Sequence, residues 1–216
     1  VTLIGGSITT QGNWSNGLWA QNGAEINSSA VITTDGAVSR GVYAQNASIT
    51  LTGGSVTTSG SSGIGLVAAG ENSRIISNVA VTTSGEWASG LVADDKATVV
   101  LSDMASINTS GHWAAGVSGS FGATISGKAN IFTEGERADG VSVDDAKVTL
   151  QGGSIITAGQ TANAVSSYGN ARGVTLTDVS IKTTGAASQG IYASRSLITL
   201  SNANIATTGS PVMYLW

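Results

Sequence analysis

The chain has 216 residues, with 30 Gly, 1 Pro, no Cys, 1 His, only 10% charged residues and a formal charge of −4. Its nine basic residues are scattered from Arg40 to Arg195, which excludes a phosphate-tracking surface for nucleic acid and a polybasic membrane patch; the absence of Cys excludes disulfides and thiolate metal sites. Apolar residues at 41% supply a core, so the low charge does not signal disorder, and no run of 18 apolar residues offers a membrane-spanning helix.

The first alternation, Val1 and Leu3, is already in register with a pattern that recurs downstream, so the chain is expected to be a fragment of a longer protein. A second alternation, Ile8 and Thr10, closes at Gly12. A third begins at Gly17 and reads Gly-Leu-Trp-Ala, with Leu18 and Ala20 on one side and Trp19 on the other. Side chains two apart on a strand share a face.

This three-part unit returns to the end of the chain. Anchor glycines fall at 12, 36, 60, 85, 111, 135, 159, 185 and 209, in steps of 24 to 26 residues. Four residues before each anchor stands Ile or Val (Ile8, Ile32, Val56, Val81, Ile107, Ile131, Ile155, Ile181, Ile205), and two before it stands Thr. Six residues after the anchors runs a second apolar row, Leu18, Val42, Leu66, Leu91, Val117, Val141, Val165, Ile191 and Leu215. The remaining alternation is less regular, and Ile26 and Ile125 look displaced by one position.

A fixed period of this length marks a solenoid. The expected fold is all-β, a right-handed single-stranded parallel β-helix of about nine coils of about 24 residues, three strands per coil, filling 1–216 as a single domain. Corner glycines and asparagines are expected to supply the turns with positive φ. A leucine-rich repeat would need its Leu/Asn signature and a helix per unit, and neither is present.

No residues assemble into a catalytic, cofactor or metal site in this reading. His112, with Asp103 and Ser106, lies on different strands or corners of one coil. Asp94/Asp95 and Asp144/Asp145 hold equivalent corners two coils apart, too few oxygens for a cation. Gly63-Ile64-Gly65 has no helix after it to make a dinucleotide loop. An outward ladder, Thr9, Thr33, Thr57 and Thr82, breaks down into Asn108, Phe132, Ile156, Lys182 and Ala206 and offers no regular ice-like lattice. The aromatics remain as binding candidates. Trp14, Trp87 and Trp113 fall two residues after their anchors, and Trp19, Tyr43, Tyr192 and Trp216 take the outward position of the Gly-x-x-Ala strand. Each would hold a sugar ring or a partner protein, or else cover the backbone of the next coil.

The units Gly41 to Gly60 (GVYAQNASITLTGGSVTTSG) and Gly190 to Gly209 (GIYASRSLITLSNANIATTG) resemble the pertactin-like passengers of bacterial autotransporters. That resemblance implies a β-helix exported through an outer-membrane barrel encoded elsewhere in the parent chain and displayed on the bacterial surface or secreted. It also implies a non-enzymatic role in adhesion or autoaggregation, with a host protein, a glycan or a second copy as partner, without direct membrane insertion of this fragment. A β-helical carbohydrate-active enzyme or glycan binder, and a spacer stalk, are the alternatives.

Overall fold

The computed structural model describes residues 1–169, 172–208 and 211–215. The anchor Gly209 and the outward Trp216 lie outside them. Every regular element among the described residues is a β-strand, and every strand pairing is parallel. Each coil contributes three strands, as in Glu25–Ser28, Val31–Thr34 and Val42–Gln45. Each pairs with its counterpart 22 to 26 residues on in the way Val31 pairs with Ser55 and Val81 with Ile107. The structure is therefore a β-solenoid of about nine turns of about 24 residues.

The three strand rows form two sheets. The Gly-x-x-Ala strands make a nine-stranded sheet that climbs the rod coil by coil. The other two rows join into one sixteen-stranded sheet, because Thr124–Thr133 and Lys147–Thr157 each run unbroken through the corner between them. A register shift between Gly127 and Ala129 takes up the bend. Gly127 sits at φ 117°, where a Cβ would stand 1.9 Å from the Leu101 carbonyl.

Parity sets the inside. Ile8, Ile32, Val56, Val81, Ile107, Ile131, Ile155, Ile181 and Ile205 pair in one unbroken column. Its seven central members are buried, and Ile8 and Ile205 pack partly against the same core. Each such side chain contributes roughly 1.5–3 kcal/mol on leaving water, and only stacked coils bury it.

Two expectations about register need correction. Ile26 and Ile125 are not displaced: Ile26 lies opposite Ile49, and Ile125 opposite Val99 and Val148. The chain takes up its length differences in the corners, since a one-residue slip would turn the whole strand inside out. At the other end, Met213, not Leu215, lies opposite Ile191, and Leu215 lies opposite Ala193. This shift of two residues keeps parity, so the row still faces the same way.

Corner glycines are of two kinds: Gly23, Gly54, Gly70 and Gly122, with Asn22 and Asn46, supply positive φ as expected, whereas the anchors do something else. The anchors have ordinary φ, but a Cβ on Gly36, Gly60, Gly85, Gly111, Gly135, Gly159 or Gly185 would stand 1.8–2.0 Å from the carbonyl oxygen of the anchor one coil before. They are glycine because two backbones nearly touch. Positive φ is taken instead by the residue two positions later, which is never glycine: Trp14, Val38, Ser62, Trp87, Trp113, Arg137, Thr161 and Ala187, at φ 52–62°.

The inward threonines have a polar task. Oγ1 of Thr109, Thr133 and Thr157 donates to the carbonyl five residues on, at 2.7, 2.7 and 2.8 Å. Thr10, Thr58, Thr83 and Thr183 make the same bond. A buried hydroxyl thus holds the corner to the strand before it. Thr34 departs from the row, its buried Oγ1 having no hydrogen-bond partner.

Candidate binding surface

The corner after each anchor is a regular outward column. Main-chain bonds link its members coil to coil: Trp14 N to Ala37 O (3.0 Å), Val38 N to Ser61 O (2.9 Å), Ser62 N to Glu86 O (2.7 Å), Trp87 N to His112 O (2.9 Å) and Trp113 N to Glu136 O (3.0 Å). The left-handed backbone repeats in all eight described corners, so the side chains leave the rod in parallel. Successive side chains stand about one strand spacing, roughly 4.8 Å, apart.

That spacing is close to the separation of stacked aromatic rings. Trp87 and Trp113 stack with centroids 5.1 Å apart and planes 3° from parallel. Arg137 continues the stack, its guanidinium carbon 4.8 Å from the Trp113 ring centre, and Glu136 approaches that guanidinium at 3.7 Å. Exposure falls in the same order: Trp14 71%, Trp87 51%, Trp113 37%. Trp113 is covered on both faces and Trp87 on one. Glu86 Oε1 accepts the Trp87 indole N–H at 3.1 Å.

The outward row of the nine-stranded sheet carries a second set. Trp19 and Tyr43 stack at 6.2 Å, and Arg40 lies 4.5 Å over Tyr43. Further along, Tyr192 and Tyr214 stack at 5.7 Å with planes 4° apart, and Tyr168 meets Tyr192 at 5.4 Å, tilted. Tyr214 thus holds the place expected of Trp216. The aromatic candidates therefore form two separate columns, Trp14, Trp87 and Trp113 along the corner and Trp19 and Tyr43 on the sheet face. Three partners were not expected. Arg40, Arg137 and Tyr168 take part in these stacks, and Arg137 was legible by spacing alone, since it stands two residues after Gly135.

A polar ladder runs beside the corner. Asn16 Oδ1 accepts the Arg40 N–H (3.0 Å), Asp139 Oδ1 the Asn163 N–H (2.7 Å) and Asn163 Oδ1 the Gln189 N–H (2.8 Å). Asp139 is the one carboxylate in this row. Burial pushes its pKa from 3.8 up to about 6, against hydrogen bonds from Ser166 and the Asn163 backbone. Burial likewise raises the neighbouring Tyr168 phenol.

The remaining candidates stay apart. His112 stacks on Trp113 at 5.7 Å, while Asp103 faces Lys128 at 3.9 Å. Ser120 Oγ donates to Asp94 at 2.9 Å, and Asp145 pairs with Arg172 at 3.4 Å. Among the described residues, no three His, Cys, Asp or Glu side chains are grouped to hold a metal ion. The outward threonine row keeps its register into Asn108, Phe132 and Ile156. Thr82, Asn108, Phe132 and Glu134 line a shallow depression there.

No protein-family model and no curated protein matches the sequence. Among solved structures, a chain of the cryo-EM structure of the Vag8–C1 inhibitor complex matches with a TM-score of 0.81 at 21% identity. The match covers 99% of this chain and 61% of that one. Vag8 and this chain thus share the β-solenoid, wound along nearly the whole of the present sequence.

Proposed function

We propose that this chain is a segment of a pertactin-like autotransporter passenger, displayed on a bacterial surface or secreted, and that it is a non-enzymatic binding rod serving adhesion or autoaggregation. The observation that carries the reading is the pair of aromatic columns. Trp14, Trp87, Trp113 and Trp19 are exposed on a rigid scaffold, and large aromatics held at fixed positions in water are what interaction surfaces use. Vag8, of the same fold, stands in complex with C1 inhibitor, which supports a host protein as the kind of partner such a rod carries. Repetition along the axis lets weak contacts add.

The test is binding by the purified chain on beads. Beads carrying it should adhere to host cells or clump, and a Trp14→Ala/Trp87→Ala variant of unchanged thermal stability should do so several-fold less. Beads that neither adhere nor clump would favour a spacer. Turnover of a polysaccharide panel would overturn the non-enzymatic reading.

A further inference from the structure

The corner column has a filled half and an open half. From Trp87 to Arg137 it is a continuous stack of indole, indole and guanidinium, one coil apart, before Thr161 and Ala187. Before Trp87 stand two short side chains, Ser62 and Val38, and only then Trp14. Trp14 and Trp87 are three coils apart, about 14 Å along the rod. Between them lies a slot floored by Ser62 and Val38. No ring or guanidinium among the described residues lies against the Trp87 face on that side.

The chain itself shows what fits such a face. Twice it lays a guanidinium over an outward aromatic: Arg137 on Trp113 at 4.8 Å and Arg40 on Tyr43 at 4.5 Å. At Arg137 the carboxylate one residue back in the chain, Glu136, approaches the guanidinium at 3.7 Å. Glu86 holds the same place relative to Trp87, with Oε1 on the rim of the indole. Asp35, in the corner where the slot lies, is exposed with Oδ1 on Ser59. The open face is therefore an indole plane with the Glu86 carboxylate on its rim, on a chain of net charge −4. A planar cation matches it in shape and sign.

We propose that the slot between Trp14 and Trp87 takes an arginine side chain of a protein partner, its guanidinium stacked on Trp87 over Ser62 and paired with Glu86. The proposal rests on the surface-binding reading above and narrows the chemistry of the partner. A neutral glycan donates hydroxyls to a carboxylate but brings no charge to pair with it.

The experiment follows the indole N–H resonances of the five tryptophans in the intact chain while tri-arginine, tri-lysine, tri-glutamate or maltotriose is added. Tri-arginine should shift the Trp87 resonance saturably, at a concentration at least tenfold below any effect of tri-glutamate or maltotriose and below that of tri-lysine. Glu86→Gln should weaken it several-fold. Ser62→Arg should abolish it, because the new side chain fills the slot; the fold tolerates arginine at the same left-handed position, as Arg137 does. No saturable shift at Trp87, a shift that survives Ser62→Arg, or a stronger response to maltotriose overturns the proposal. A chain that adheres or clumps while Trp87 ignores tri-arginine loses this inference alone. A chain that binds tri-arginine at Trp87 yet neither adheres nor clumps loses the broader reading instead.

Discussion

The carboxylate of Asp139 accepts the main-chain N–H of Asn163, its own counterpart one coil further along the rod, at 2.7 Å. In the same row Asn16 and Asn163 accept the main-chain N–H of Arg40 and Gln189 through their amide oxygens, so an amide makes the bond that the carboxylate makes. Asp139 is only partly open to water. Its proton is held up to about pH 6, against 3.8 in the absence of burial. The unfolded chain therefore gives up this proton at lower pH than the folded one. The contribution of the neutral acid to stability is full below about pH 3.8 and is lost as pH rises through about 6. The difference caps the loss at about 3 kcal/mol, and residual contact with water lowers it. Asp139→Asn should keep the bond to Asn163, remove that pH dependence and raise stability at pH 7. Denaturant unfolding at pH 4.5 and pH 7.5 checks it. An Asp139→Asn chain no more stable than the parent at pH 7.5 would show the carboxylate to be well solvated.

The inward threonines separate a bond from a shape. Thr133 donates to Ala138 O at 2.7 Å, whereas the equally buried Thr34 hydroxyl has no partner. Val keeps the volume in both places and deletes the hydroxyl. Thr133→Val should cost about 1 kcal/mol, and Thr34→Val should be neutral or stabilising by a similar amount, because it removes an unsatisfied buried group. Opposite signs in thermal melts of the two variants are the expected outcome.

Much of this was legible in the sequence because the interior is written twice, by period and by parity. The column from Ile8 to Ile205 needed only the spacing of Ile and Val before each glycine. Register was harder. Ile26 looks one residue out when counted from Gly12, yet pairs with Ile49, because corners absorb length that strands cannot. The reason for the anchor glycines was hidden too: from sequence, a glycine needed for φ looks the same as one needed for contact with the coil below. The aromatic candidates were visible as types, but Arg137, though it has the same spacing from its anchor, was passed over because it is not aromatic and joins the stack through its guanidinium.

The anchor glycines can be told apart from turn glycines by a methyl group. A Cβ on Gly111 would lie 1.8 Å from Gly85 O, in a corner where both backbones are fixed by the coils around them. A Cβ on Gly23 meets nothing within 4 Å, and its φ of 80° is the only obstacle. Gly23→Ala should therefore cost about 1–2 kcal/mol of backbone strain. Gly111→Ala should cost substantially more, since the coils must part to admit it, and should leave little folded protein at 37 °C. Circular dichroism melts of the pair measure the difference, and equal losses would mean that the coils slide freely past one another.

Val38 is the clearest misfit to its own backbone. At φ 56° it sits where a β-branched side chain crowds its own main chain. Its N–H donates to Ser61 O at 2.9 Å and its side chain is half-buried, so the turn is imposed by the stack around it. Asn tolerates this region far better. Val38→Asn keeps the backbone bond and should relieve strain of about 1 kcal/mol or more, less a few tenths of a kcal/mol for the apolar contact given up, a net gain seen as a higher midpoint in urea with an unchanged slope. Thr161, at φ 52° two residues after Gly159, is the internal control. The same substitution there should gain a similar amount, and the two gains should add, because the residues lie five coils apart. A lower midpoint for both variants would show that the corner prefers the branched side chain for its contacts and that the strain is small.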